Sequence, residues 1–158
     1  MSNLDKMLDE ALRQKYGVAW LDEQLALRTR CCAVMVVDMC GFTRTCENEG
    51  LAQALLDIRA MQRVVEAATK KSQGRVVKFE ADNAYCSFTS IPLALTAAGR
   101  MVDRSVCSVG IGWGVTVFCD NDFYGLEVNL ASKLAEDQGQ AGDILLTRAA
   151  AAIRSGHS

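Results

Sequence analysis

CCAVMVVDM, residues 31–39, decides how the rest of the chain is read. Cys31 to Val37 is an unbroken apolar run rich in β-branched side chains, which predicts a buried strand, and Asp38 ends it. Cys40-Gly41-Phe42-Thr43 follows as a turn, with Thr43 placed to cap the next helix. Leu51, Leu55, Ile58, Met61, Val65 and Ala68 then recur three or four apart. That spacing predicts an amphipathic helix near 48–71 whose apolar stripe belongs to the core. Lys70, Lys71 and Gly74 close it with positive charge and a glycine cap.

Further along, 75–82 (RVVKFEAD) and 85–88 read as strands joined by a tight turn at Asp82-Asn83. Pro92 opens a helix to Arg104, and 106–118 is a strand, whole or in pieces, around Gly110, Gly112 and Gly114. Residues 119–122 form a loop, 125–137 a helix, 143–147 a short strand and 148–154 a helical tail. The order β-α-β-β-α-β defines an α+β, ferredoxin-like sheet with helices on one face. On the N-terminal side, Leu4, Met7, Leu8, Ala11 and Leu12 have helical spacing up to Gly17, and a second periodic piece runs from Val18 to Leu27. Residues 1–30 are therefore a helical arm, either packed on the domain or serving as an amphipathic dimerisation or regulatory element. Residues 31–158 are the main domain.

Composition narrows the chemistry. The 158 residues suit one domain, and 50% hydrophobic with 23% charged residues gives a packed core. Seventeen basic against 19 acidic residues, net −2, leave no basic face for a nucleic-acid polymer. The one histidine, His157, sits in the tail, so catalysis must rest on carboxylates, Lys, Arg or Cys. The seven cysteines contain no C-x-x-C, which argues against a disulfide framework or zinc cluster. With no signal-like start and no apolar run near the roughly 20 residues a bilayer needs, the expected setting is cytoplasmic, without membrane insertion. Gly110, Gly112 and Gly114 lie inside a strand with no helix opening after them, so they indicate close packing rather than a dinucleotide site.

In a ferredoxin-like sheet the first two strands are parallel with the third between them. Asp38 and Asp82 then end at one edge, two strand spacings or roughly 10 Å apart. Two carboxylates without histidine suit a hard cation, Mg²⁺ or Mn²⁺, and the amides of the 40–43 turn suit an anion beside it. The alternative is that both Asp residues only cap and turn the chain. Lys78, Glu80 and Asp82 share one strand face, opposite Val77, Phe79 and Ala81. The charged face must meet solvent, a ligand or a partner subunit.

Three segments together, VVDMCGFT (36–43), Lys78 with Asp82, and DFYGLEVNLASKL (122–134), resemble the catalytic domain of class III nucleotidyl cyclases. The resemblance covers about Ala33 to Thr147 and makes 31–158 a cyclase-like catalytic domain. It implies that Asp38 and Asp82, with the Met39 carbonyl, hold two Mg²⁺ or Mn²⁺ ions per active site. Cys40, Gly41, Phe42 and Thr43 would bind the β- and γ-phosphates through backbone amides. Lys78 and Asp122 match the base-reading pair in its adenine form, Lys donating to N1 and the carboxylate accepting from the exocyclic amine. Asn129 matches the residue that orients the ribose. Lys133 stands where the family has an Arg at the transferring phosphorus, keeping the charge but losing the bidentate fork.

The implied activity is adenylate cyclase: ATP to 3′,5′-cyclic AMP and pyrophosphate, a signalling reaction, at sites shared across a head-to-tail homodimer. Other departures are Ala81 for a Gly and Ser108 for an Arg, and the chain ends near the place of a late phosphate-binding Lys. Arg75 and Arg104 are candidates to replace those contacts. The alternatives are a degenerate nucleotide-binding or dimerisation module, or a cyclase for another nucleotide such as GTP.

Overall fold

The computed structural model describes residues 1–156, and His157 lies outside them. The first strand, β1 (Thr29–Met39), is paired on both sides. Its neighbours are β3 (Asn83–Phe88) and β4 (Cys107–Cys119), both antiparallel. β2 (Arg75–Glu80) lies beyond β3, β5 (Asp122–Tyr124) beyond β4, and β6 (Ile144–Leu146) pairs parallel with β4. The order β2-β3-β1-β4 is the ferredoxin-like one, with β1 and β2 parallel and β3 between them.

The apolar run of β1 is buried from Cys32 to Val37 because both sheet faces are covered. Ala33, Met35 and Val37 meet α4 (Leu51–Lys71) and α5 (Ile91–Arg104) through Ile58, Met61, Val65, Ala98 and Met101. Full burial of a side chain such as Met35 stabilises the fold by about 1.5–3 kcal/mol. The long helices thus share one face, as expected. The other face carries an addition: α6 (Leu126–Lys133), continued by a π-helical turn at Leu134–Gln138, packs Val128, Ala131 and Ala135 on Cys32, Val34 and Val36. Glycine makes this close approach possible, since a Cβ on Gly110 would collide with the Ala131 carbonyl.

Local chemistry adjusts several expectations. Thr43 is not the cap of α3 (Phe42–Glu49); Gly41, in the left-handed region at φ 87°, is the N-cap residue. At the end of α4 it is Gln73 that turns left-handed, at φ 58°, while Gly74 is required because a Cβ there would strike the Phe88 ring. β4 is one strand of 13 residues. The 119–122 segment is a hairpin turn, with Asp120 and Asn121 both at positive φ, and Asp122 already belongs to β5. The expected alternation of β2 fails at a bulge between Val76 and Lys78. Val76 and Phe79 pack with the α4–α5 cluster, whereas Val77 packs with Val34 and Phe123 on the other face. A bulge places an extra residue opposite one partner, so Val77 leaves the face it was expected to share with Phe79.

The arm forms α1 (Asn3–Arg13) and α2 (Gly17–Ala26). α1 buries no residue and α2 only Gly17, while Leu12, Tyr16, Val18 and Leu27 are exposed, so the arm is not part of the core. Its anchor is Asp120, whose carboxylate accepts from the Asn3 and Leu4 amides at 3.2 and 2.9 Å. Among the described residues no helix is long and apolar enough to cross a membrane. All seven cysteines are free thiols, and Cys32, Cys86, Cys107 and Cys119 are buried.

Candidate active site

Asp38, partly buried between Val37 and Met39 near the end of β1, is level with Asn83 on β3 and Ser108 on β4. β2 stops at Glu80, so Asp82 lies in the turn before β3 rather than at a strand end. That turn folds against β1: the Met39 amide donates to the Asp82 carbonyl at 3.0 Å. The two aspartates are therefore on directly bonded backbone, closer than two strand spacings. Ala81 makes the turn at φ 51°, a conformation that costs an ordinary residue about 1–2 kcal/mol and that glycine adopts freely.

Partial burial, then the charge of Asp82, then that of Glu136, push the Asp38 carboxyl up to about 6. Glu136 was not singled out in the sequence. It lies in the π-helical turn that continues α6. Its Oε1 accepts from Asn83 Nδ2 at 2.9 Å and from Ser132 Oγ at 3.0 Å. The other atom of the same amide, Asn83 Oδ1, is buried without a hydrogen-bond partner.

Next to Asp38 the 40–43 turn opens α3. The Cys40 amide is already committed, donating to the Val106 carbonyl at 2.8 Å. Cys40 is thus withdrawn as an amide donor, and the amides without a protein acceptor among the described residues are those of Gly41, Phe42 and Thr43. A cavity of about 440 Å³ lies beside the turn, bordered by Met39, Gly41, Arg44, Met61 and Arg104. Arg104 thus stands near the turn, while Arg75 borders a different cavity with Arg30 and Cys31. Ser108 is buried, and its hydroxyl donates to the Ala135 carbonyl at 2.7 Å.

Lys78 Nζ sits 3.1 Å from Asp122 Oδ2 and 3.0 Å from Glu80 Oε2, over the Tyr85 ring. Tyr85 in turn meets Phe123 edge to face. Partial desolvation opposes the ammonium charge, but Glu80 and Asp122 outweigh it and hold the lysine above its usual range. Asp122 is fixed from behind, its Oδ1 accepting from the Phe123 amide at 2.8 Å. Asn129 and Lys133 lie one turn apart on the exposed side of α6, and neither side chain makes a hydrogen bond or ion pair with another described residue.

The structure thus gathers Asp38 with Asp82, Lys78 with Asp122, and Asn129 with Lys133. The fold that carries them is shared with solved cyclase domains. An adenylate/guanylate cyclase/hydrolase from Silicibacter pomeroyi superposes with a TM-score of 0.67 at 24% identity, covering 82% of each chain. The monomeric guanylyl cyclase domain of the RhoGC fusion protein from the aquatic fungus Blastocladiella emersonii gives 0.70 at 13% identity over 80% of this chain and 85% of that one. The adenylyl cyclase CyaB from P. aeruginosa gives 0.65 at 20% identity, over 81% and 83%. No protein-family model and no curated protein matches the sequence. The chain has the fold of the adenylyl and guanylyl cyclase catalytic domains.

Proposed function

We propose that this protein is an adenylate cyclase, converting ATP to 3′,5′-cyclic AMP and pyrophosphate at sites shared by two copies arranged head to tail. The observation that carries the reading is the Lys78–Asp122 pair at 3.1 Å, a donor beside an acceptor, matching the edge of adenine. Guanine presents the opposite polarity at the corresponding atoms. The solved relatives include both a monomeric and a dimeric guanylyl cyclase domain. Two copies are inferred here because exposed apolar side chains, Val115, Tyr124 and Leu126, flank the Asp122 hairpin.

The residues at the sheet edge fit a hard divalent cation. Asp38 and Asp82 are oxygen donors, the former already disfavoured as a charge by partial burial and then by its acidic neighbours, and Asn83 Oδ1 is a buried acceptor without a partner. No group of three or more His, Cys, Asp or Glu side chains is poised for a metal among the described residues. Asp38, Asp82 and the Met39 carbonyl would therefore hold Mg²⁺ or Mn²⁺ with the substrate's own oxygens completing the shell. Two such ions per site, when bound, would acidify the ribose 3′-hydroxyl and offset the triphosphate charge.

The chain's own groups do the rest by positioning. Gly41, Phe42 and Thr43 amides receive the β- and γ-phosphates at the N-terminus of α3. Lys78 and Asp122 fix the base, and Asn129 turns the ribose so that its 3′-oxygen lines up with the α-phosphorus. Lys133 faces the charge that builds there as the 3′-oxygen bonds to phosphorus, its proton is lost and pyrophosphate departs. Seven free thiols suit the reducing cytoplasm, where we place the protein.

Lys133 and the buried Ser108 favour a second reading, a cyclase-fold module that binds nucleotide without turning it over. Incubation of purified protein with ATP or GTP and Mn²⁺, with chromatography of the products, separates the readings. Cyclic AMP from ATP is expected. Its absence at high protein concentration leaves the module, and a preference for GTP overturns the assignment of the base pair.

A further inference from the structure

Glu127 is a buried carboxylate that no step above uses. It sits in the first turn of α6, two residues before Asn129 and six before Lys133. Its Oε1 accepts from the Trp113 backbone amide at 3.1 Å and from the Thr147 hydroxyl at 2.5 Å. Thr147 is the N-cap of α7 (Arg148–Arg154), and its oxygen accepts in turn from the Ala150 amide.

The strand explains why a hydrogen-bond acceptor is needed there. Along the edge of β4 away from β1, β6 covers Val109–Ile111 and β5 covers Val117–Cys119. The stretch between them has no partner strand, and an unpaired buried amide is costly. Glu127 fills that gap from above. The glycines on either side of Trp113 admit it: a Cβ on Gly112 would lie 3.0 Å from Glu127 Cβ, and one on Gly114 2.8 Å from Glu127 Cγ. The G-x-G-x-G of residues 110–114 is thus the seat of α6, and Glu127 is the bolt through it.

We infer that Glu127 is a positioning residue, locking the axial position of α6 on β4 so that Asn129 and Lys133 present to the ribose and the α-phosphorus. The base-reading pair stands on β2 and β5, outside this lock. Losing Glu127 therefore lowers kcat while leaving the KM for ATP nearly unchanged. Both bonds end on one oxygen that glutamine retains, so Glu127→Gln keeps the lock and Glu127→Ala breaks it. The kinetic part rests on the cyclase reading, whereas the lock itself does not.

The test measures Trp113 amide exchange by NMR together with cyclase kinetics in the full chain. For Glu127→Ala, exchange at Trp113 accelerates at least tenfold and kcat falls about 10- to 100-fold, with KM within about threefold, as expected for loss of alignment. Glu127→Gln restores both to within about threefold. Should Glu127→Ala fail to fold, Gly114→Ala, which presses on Glu127 Cγ, gives a milder change of the same kind. Unchanged Trp113 exchange in folded Glu127→Ala, or in Gly114→Ala where that variant takes its place, overturns the lock. A kcat loss that Gln does not restore, or KM rising with it, overturns the positioning role. If the wild-type protein forms no cyclic nucleotide, the cyclase reading has failed, and Trp113 exchange alone decides the lock.

Discussion

Lys78 and Asp122, 44 positions apart, meet at 3.1 Å because the bulge in β2 and the two-residue turn before β5 bring both to the same side of the sheet. The pair is about a quarter exposed, so substrate can reach it without unfolding anything. Removing the acceptor leaves the ammonium to Glu80 and takes away one contact to the base. Asp122→Ala is expected to lower kcat/KM for ATP by about 10- to 100-fold, the scale of a hydrogen bond to a charged group. Steady-state assays with ATP and GTP in parallel check this, and equal losses for both nucleotides would remove the base-reading role.

Asp38 gives a pH signature in metal-free protein. Its carboxyl titrates at about 6 in the fold against 3.8 as the reference value, so between these values the folded state holds a proton that the unfolded chain releases. Stability from this group is full below about 4, declines as pH rises, and is gone above about 6. Asp38→Asn removes that slope. Melting curves in chelator from pH 4 to 8 should show the variant's advantage over wild type growing with pH and levelling above about 6. Mn²⁺ should raise the wild-type Tm above pH 6 and leave that of Asp38→Asn almost unmoved. An equal metal response in both proteins would count against Asp38 as a ligand.

The central frame was legible because β1 announces itself. An apolar run ending at Asp38, followed by a glycine turn and a helical stripe, leaves few alternatives. What escaped was set by features of one or two residues. The bulge at Val77 is invisible to a period-2 count, and β5 is too short to show any period. Asp82 looked like a strand end because nothing in RVVKFEAD marks where pairing stops. Glu136 lies in the π-helical turn, whose i→i+5 bonding shifts side chains off the positions that a 3.6-residue period assigns.

The N-terminal arm contributes almost nothing to the core, and its anchor on Asp120 is solvent-exposed. A chain beginning at residue 28 should therefore fold with the same sheet, its Tm within a few degrees of the full chain. Circular dichroism melting of the truncated protein tests this. Loss of cooperative unfolding would show that α1 and α2 cover surface the sheet depends on.

Lys133 is the position where the site departs furthest from the pattern it resembles, and α6 shows that the departure can be reversed. The side chain is exposed and free of ion pairs among the described residues, so a guanidinium can take its place without breaking one. Arg has slightly better pre-organised geometry, two parallel donors for two phosphoryl oxygens, where Lys offers a single point charge. Lys133→Arg should raise kcat by about three- to tenfold, and Lys133→Ala should lower it by at least tenfold, because only the charged transition state feels the difference. The KM for ATP should move little in either variant. An unchanged kcat in Lys133→Ala would place the transition-state charge elsewhere, with Arg44 and Arg104 beside the phosphate turn as the next residues to replace.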